Sequence, residues 1–479
     1  MRFSAVLLSI LVLVLIVDNG WAFLVDSTFR NTRLVRVIDL RGNVVHHDIG
    51  IRARNIDSQP MNEYLFTVSP ETNENIADIK ASLLEEPRTA LAVEPVLEPT
   101  AGPGWYKVVF DKPIEPDTEI RFGIKIAYTH VLENLPASIK QLGRQYVYYS
   151  ENIYVDNPYF TDEIKTTLHL PAASRVLSYT GGPQVERIGD KIVYGPYLSV
   201  TPGSYNPFRI HYEYSKPLLT VTELQRDIQV SHWASNLAVE EHYKLEHSGA
   251  RLEEEFSRAM FQKTRMVHDQ TNVLKTLTFE LPAAARDVYY RDEIGNVSTS
   301  RLSYGPDKAT LQLFPRYPLY GGWIYTWFHG YNVDATHFVR YSSKSGHYLL
   351  NLNFVENVQD MVIDKAELRV VLPEGAKNVQ VEMPFGYDNL EHAVHYTNFD
   401  STGRYVVVIQ KHNVVREHQQ PIQITYDYPS SRLLQKPLVA SAAIFILFLA
   451  SILFSRLSLS IETPAAHMCY VSQMQKKSQ

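Results

Sequence analysis

At 479 residues, with 45% hydrophobic and 20% charged residues, the chain can hold roughly two or three domains with their own cores and has an ordinary globular composition. A formal net charge of -6 speaks against a general nucleic-acid binder, which needs a basic surface to displace counterions. The one cysteine, Cys469, excludes an intramolecular disulfide and any multi-cysteine zinc or iron–sulfur centre.

Residues 1–22 have the pattern of a secretory signal. Arg2 supplies a positive start, residues 6–17 an apolar run, and Gly20-Trp21-Ala22 a small-residue ending. Cleavage is expected between Ala22 and Phe23.

The next four hundred or so residues read as β structure. The 30 tyrosines and 20 phenylalanines suit a pleated surface. Phe122, Ile124, Ile126 and Tyr128 alternate with other residues, as do Leu237, Val239, Tyr243 and Leu245. Phe208, Ile210, Tyr212 and Tyr214 alternate with Arg209, His211 and Glu213. Ile422, Ile424, Tyr426 and Tyr428 alternate with Gln423, Thr425 and Asp427. A period of two means strands with one face buried and one wet. Gly181-Gly182-Pro183 and Gly321-Gly322 mark turns between them. Residues 76–84 are the best short helical candidate. The fold class expected is mainly β, with two tandem sandwich-like domains followed by one membrane helix.

A faint repeat supports two domains. Leu170-Pro171-Ala172-Ala173-Ser174-Arg175 resembles Leu281-Pro282-Ala283-Ala284-Ala285-Arg286, and both resemble Leu372-Pro373-Glu374-Gly375-Ala376-Lys377. Each copy follows a strand pattern, and proline there ends strand pairing. The first and third copies, like the strands around Ile210 and Ile424, are about 200 residues apart. The boundary is expected near Ser215-Lys216-Pro217, giving domains over 23–217 and 218–436.

Residues 438–454 form a second apolar run, bracketed by Lys436-Pro437 and Arg456. As a helix this interval spans about 28 Å, enough for a thin bilayer, and the two cations can reach its two interfaces. A transmembrane helix is expected over 437–455. With the signal it predicts a type I topology: residues 23–436 in the lumen and a short cytosolic tail over 456–479. Lys476 and Lys477 stand fourth and third from the C-terminal end, the spacing of a dilysine retrieval signal. Cys469 would be a free cytosolic thiol, or a palmitoylation site.

The search for chemistry is mostly negative. G-x-x-x-x-G-K, G-x-G-x-x-G, H-E-x-x-H and G-x-S-x-G are all missing from the sequence. His46-His47-Asp48 suggests a metal, but neighbours on a strand diverge, so a solvated strand is the better reading. His242 and His247 fall on opposite faces for the same reason. Glu253-Glu254-Glu255 reads as a solvated acidic run. Asp292-Glu293 offers paired carboxylates, yet adjacency does not set the separation a glycosidase needs; an exposed turn is expected. No catalytic, cofactor-binding or metal-binding residue is assigned. Asn296-Val297-Ser298, after a turn at Gly295, is an N-glycosylation acceptor sequence.

Residues 281–300, LPAAARDVYYRDEIGNVSTS, resemble a highly recognisable segment of the ribophorin I family. Further segments agree in order: Ser231-His232-Trp233, Asn236-Leu237-Ala238-Val239-Glu240-Glu241, residues 315–323, residues 372–378 and His395-Tyr396-Thr397. The similarity runs from about residue 150 through the apolar run and is weaker before it. The resemblance implies a non-catalytic scaffold subunit of the oligosaccharyltransferase complex of the endoplasmic reticulum membrane. That complex transfers a preassembled glycan from dolichyl diphosphate to asparagine in Asn-x-Ser/Thr of nascent chains. Its catalysis would lie in a partner, a multi-span subunit, and nascent polypeptide is a further possible partner. Asn296 matches the family's own acceptor position. Some members continue into a long helical cytosolic region implicated in ribosome contact; the tail here is short, so that contact is not carried over. Two other classes compete: a type I adhesion or receptor-like β protein, and a membrane-anchored hydrolase.

Overall fold

The computed structural model describes residues 28–85, 88–96, 104–267, 270–398 and 400–457. The signal segment with its Ala22–Phe23 cleavage point, Cys469, Lys476 and Lys477 lie outside the described residues.

Seven strands frame the first β unit: β1 (Phe29–Asp39), β2 (Val45–Asn55), β3 (Glu119–Tyr128), β4 (Tyr146–Asn152), β5 (Thr161–His169), β6 (Lys191–Val200) and β7 (Pro207–Glu213). In the larger sheet β6, β5, β1, β2 and β3 are neighbours in that order, with Val185–Ile188 outside β6 and Ile76–Leu83 outside β3. β1 and β5 are parallel; the other pairs are antiparallel. β4 and β7 form a second sheet with Val176–Tyr179.

Seven more strands repeat this plan: β8 (Leu219–Ser231), β9 (Asn236–His247), β10 (Ile324–Asp334), β11 (Tyr348–Asn353), β12 (Met361–Val371), β13 (Arg404–Val414) and β14 (Pro421–Asp427). β13, β12, β8, β9 and β10 are neighbours, with Asn389–His395 outside β13 and Arg286–Asp292 outside β10. Again the first strand, β8, is parallel to β12. β11 and β14 pair in a second sheet with Lys377–Glu382. Leu170-Pro171 follows β5 and Leu372-Pro373 follows β12, so these copies mark the same corner of the two units. The Leu281-Pro282 copy does not. It ends a strand, Leu277–Pro282, of a separate three-stranded sheet set between β9 and β10.

Alternation explains the packing. Phe208, Ile210 and Tyr212 on β7, and Ile422, Ile424 and Tyr426 on β14, are fully buried. Each turns one face to its sandwich and the other to water. One core runs from Phe29 to Leu218 and the next begins at Leu219.

Residues 76–84 differ from expectation. Ile76, Ile79 and Leu83 have helical spacing, yet Ile76–Leu83 is a strand paired along β3. Free backbone donors on that edge outweigh a weak helical pattern. The described α-helices of the β part are Pro70–Asn73 and Arg258–Val267, neither of them anticipated.

A C-terminal helix, Gln435–Arg456, follows β14 through a short turn, Ser430–Leu434. Its 22 residues span about 33 Å. It carries a long uncharged apolar stretch, and none of its side chains is buried. Among the described residues it is the one helix long and apolar enough to cross a membrane.

The units meet end to end. Asn43 donates to the Leu219 carbonyl (2.8 Å), Lys216 meets Asp360 (2.8 Å), and Asn413 donates to the Glu74 carbonyl (2.9 Å). Ser138–Ile139 pairs in parallel with Arg251–Leu252. These contacts involve the starts of β8 and β12 and the ends of β9 and β13. The C-terminal helix leaves from the opposite end of the second unit.

Candidate functional site

Alternation puts three charged residues where apolar ones are due. On β1, Leu34 and Ile38 flank Arg36; on β8, Leu224 and Ile228 flank Arg226; on β9, Val239 and Tyr243 flank Glu241. All three are buried. Arg226 lies between Glu241 (2.7 Å) and Glu356 (3.0 Å) and donates to the carbonyls of Asn353 and Phe354, at the end of β11. Burial pushes the guanidinium down, but Glu356 and Glu241 more than reverse that, so it stays charged. Tyr243 donates to Glu241 (2.9 Å) and His329 lies 3.4 Å from it. Burial, then Arg226, pushes His329 down to about 3, so the ring is neutral.

The first unit repeats the device. Arg36 donates to the carbonyls of Asn152 and Ile153, at the end of β4. Asn152-Ile153-Tyr154-Val155-Asp156-Asn157 and Asn353-Phe354-Val355-Glu356-Asn357 are the matching segments. Each arginine therefore joins the two sheets of its sandwich by satisfying carbonyls where the chain leaves the smaller sheet. Beside Arg36 lies a small cavity of about 30 Å³, with His47, Glu151 and Asp156 on its wall. Burial raises both carboxyls above their usual range.

The histidines do not converge. His46 pairs with Glu417 (2.9 Å), whereas His47 is buried against the Tyr149 hydroxyl (3.0 Å). His47 is thus on a core face, not solvated as expected, and burial holds its pKa well below the usual value. His242 bonds Glu240 (2.8 Å); His247 is buried, accepts from Gly249 N–H (3.0 Å) and donates to the Asn272 carbonyl (2.8 Å). Among the described residues no group of three or more His, Cys, Asp or Glu is placed to hold a metal. Glu253, Glu254 and Glu255 are exposed.

The carboxylates at 292 and 293 part company. Glu293 is exposed, but Asp292 is buried. Asp292 accepts from Ile294 N–H (3.0 Å), Gly295 N–H (3.1 Å) and Arg316. The expected exposed turn therefore has a buried carboxylate knot. Burial raises Asp292, but Arg316 and the two amides overcome it and hold its pKa down. The knot presents Asn296 and Ser298 to solvent. Arg316 also reaches the Asn296 carbonyl (3.3 Å).

A fourth cluster was not anticipated. Asp400, its carboxylate fully buried, bonds Lys436 (2.8 Å), Arg404 (3.1 Å), and Thr397 through N–H (2.8 Å) and hydroxyl (2.6 Å). Burial raises its pKa, but Lys436, Thr397 and Arg404 together hold it at about 2. Next to it Glu374 accepts from Ser401 N–H (2.7 Å), Thr402 N–H (2.8 Å) and the Gln435 amide (3.2 Å). Gln435 and Lys436 open the apolar helix, so its first turn is clamped to the β unit. Asp400-Ser401-Thr402-Gly403 carries a turn signal in the sequence, but the clamp depends on a partner across the fold.

The carboxylates around Arg226 are ion-paired: its guanidinium lies against Glu241 and Glu356, and its remaining contacts go to the carbonyls of Asn353 and Phe354. The hydrolase reading is not favoured.

The chain matches the Ribophorin I family over residues 29–455. It is 35% identical over 460 residues to the Arabidopsis thaliana dolichyl-diphosphooligosaccharide–protein glycosyltransferase subunit 1B, covering 95% of this chain and 98% of that one. It is 32% identical over 447 residues to subunit 1 from Caenorhabditis elegans, covering 93% of this chain and 75% of that one. Among solved structures, an M1 zinc metallopeptidase from Deinococcus radiodurans is similar at 10% identity and a TM-score of 0.25, over 44% of this chain and 50% of that one, too slight a likeness to bear on function.

Proposed function

The chain belongs to the ribophorin I family, and on that premise we propose that it is a non-catalytic, architectural subunit of the oligosaccharyltransferase, facing the lumen. The relatives named above are subunit 1 of that enzyme, so the chain serves protein N-glycosylation at the endoplasmic reticulum membrane as one subunit among others. The observation that carries the reading is the family match along nearly the whole described chain. The adhesion or receptor-like reading is not favoured.

In this reading a partner, a multi-span subunit, performs glycan transfer. The buried arginines that tie the two sheets of each sandwich together support an architectural role. The signal is removed between Ala22 and Phe23, the β units face the lumen, and Lys476 and Lys477 serve retrieval. Asn296 carries a glycan. It lies near Asp292, which pairs with Trp327 on β10. Trp327 is seven residues from Asp334, at the helix end of that strand, or roughly 23 Å at about 3.3 Å per residue. A glycan there stands clear of the bilayer.

The test is a mild-detergent pull-down of the tagged chain with an assay for glycan transfer to an Asn-x-Thr peptide. Co-purifying transfer activity, together with a multi-span partner, supports the reading; a folded chain that brings down neither overturns it. Asn296→Gln should abolish the endoglycosidase-sensitive mobility shift of the chain. An unchanged shift would remove Asn296 as the acceptor.

A further inference from the structure

The second β unit has a defined helix end, and exposed aromatic residues are set into it. β8 and β12 run in parallel towards it, and β9 and β13 start there. The turn after β8 carries Trp233, 66% exposed, next to His232. The His232 ring stacks on Tyr428, which immediately precedes the turn into the helix. Tyr341, 59% exposed, pairs with Tyr348 at the start of β11, itself opposite Tyr426. Tyr396, 65% exposed, and Val394 sit beside Gly403, just before the Arg404 that bonds Asp400. Leu434, also exposed, is the last residue before the helix.

Three strand ends of different parentage thus present a tryptophan and two tyrosines at the end from which an apolar helix departs. In water these rings would be a cost; at headgroup level each buries its apolar body and keeps its polar tip hydrated. The polar zone of one leaflet is about 5–7 Å deep. Lys436, two residues before the first apolar residue of the run, marks that zone, and its ammonium is held by Asp400. A flexible junction would let the unit drift away from the surface. The Asp400–Lys436 and Glu374–Gln435 bonds prevent that.

We propose that the helix end of the second β unit is seated on the bilayer, with Trp233, Tyr341 and Tyr396 in the headgroup layer and Lys436 as the positioning residue that holds it there. The occupant of this surface is lipid, because the surface continues directly into the apolar helix. The proposal rests on that helix spanning the membrane.

The test uses the full chain with Cys469→Ser, reconstituted in phosphatidylcholine nanodiscs. Single nitroxide labels replace Trp233, Tyr341 or Tyr396, with Ile446 in mid-helix and Tyr205 in the first unit as references. Collision with oxygen against a water-soluble nickel chelate reads depth. The expected result is that the three aromatic positions fall between the two references, and that Lys436→Ala shifts all three towards water while Lys436→Arg does not. Water-like readings at the three positions, with Ile446 deep, overturn the seating and leave the span intact. A water-like reading at Ile446 overturns both. Unchanged depths in Lys436→Ala overturn the positioning role.

Discussion

Arg36 and Arg226 occupy the same place in two copies of one plan, but they differ in what surrounds them. Each closes carbonyls at the end of a strand of the smaller sheet. Ile153 has a second donor in the Thr166 hydroxyl (2.7 Å), so its carbonyl is still served if Arg36 is lost. Arg226 also neutralises two buried or half-buried carboxylates. Removing one partner of such a group leaves charge stranded in the core. Arg226→Met should therefore lower stability by about 3–5 kcal/mol. Arg36→Met should lower it by only about 1–3 kcal/mol: it leaves buried acceptors unserved, while Glu151 and Asp156 beside it, already raised by burial, can take up a proton when its charge is lost. Unfolding of the two purified full-length variants, followed by circular dichroism, checks the order. Equal losses would mean that Glu241 and Glu356 find other partners. The signal for this site was present in the sequence: Glu241 interrupts the alternation of Leu237, Val239, Tyr243 and Leu245 on a face that should be apolar throughout. The partners were not legible, since Glu356 and His329 approach from residues more than eighty positions away.

Strands with strict alternation, such as β7 and β14, could be read directly, because burial of one face imposes the period. Ile76–Leu83 could not, because its pairing with β3 is decided forty residues downstream. The repeated Leu-Pro corners were legible at β5 and β12, whereas the middle copy closes an inserted sheet and has the same letters for a different reason. Turns show the same limit. Gly181 and Gly321 each begin a Gly-Gly pair, and the sequence treats them alike. A Cβ at Gly181 meets nothing within 4 Å. One at Gly321 would press on the Ala250 carbonyl and lie 2.7 Å from the Gly249 oxygen, backbone that cannot swing aside. That contact supports the strand-like bridge between Arg251 and Gly321, beside the Ser138–Ile139 pairing that links the units. Gly321→Ala should cost about 1–3 kcal/mol by overpacking. Gly181→Ala should stay within about 0.5 kcal/mol. Unfolding midpoints of the two variants measure the contrast, and a silent Gly321→Ala would show that the 249–251 segment yields.

At the scale of the molecule the parts line up: apolar helix, second β unit, then first β unit on its far end. β8 has 13 residues, so about 40 Å of sheet separates the helix end from Leu219, where the first unit joins. Rigidity of that join decides whether the first unit holds a fixed height. Part of the join titrates. The hydrogen bond that His46 donates to Glu417 raises the His46 pKa above its usual 6.5, despite partial burial. Burial raises Glu417, but the His46 bond and charge overcome this and lower it below 4.5. A raised histidine gives stability that is full below 6.5 and lost as pH climbs through the folded value. A lowered glutamate gives stability present above 4.5 and lost as pH falls. The pair is therefore strongest between about pH 4.5 and 6.5 and fades on the alkaline side. His418, adjacent in the same segment, runs the other way: burial lowers its pKa, so acid below 6.5 works against it. The full chain's own pH profile mixes these effects, whereas a comparison with His46→Ala isolates the pair. The gap in thermal midpoint between the chain and His46→Ala should be widest near pH 6 and should narrow as pH rises above the folded His46 value. In a Glu417→Gln background the gap should lose most of its pH dependence. A gap that stays constant from pH 5 to 9 would mean that His46 acts through packing, and that the join between the units is indifferent to protons.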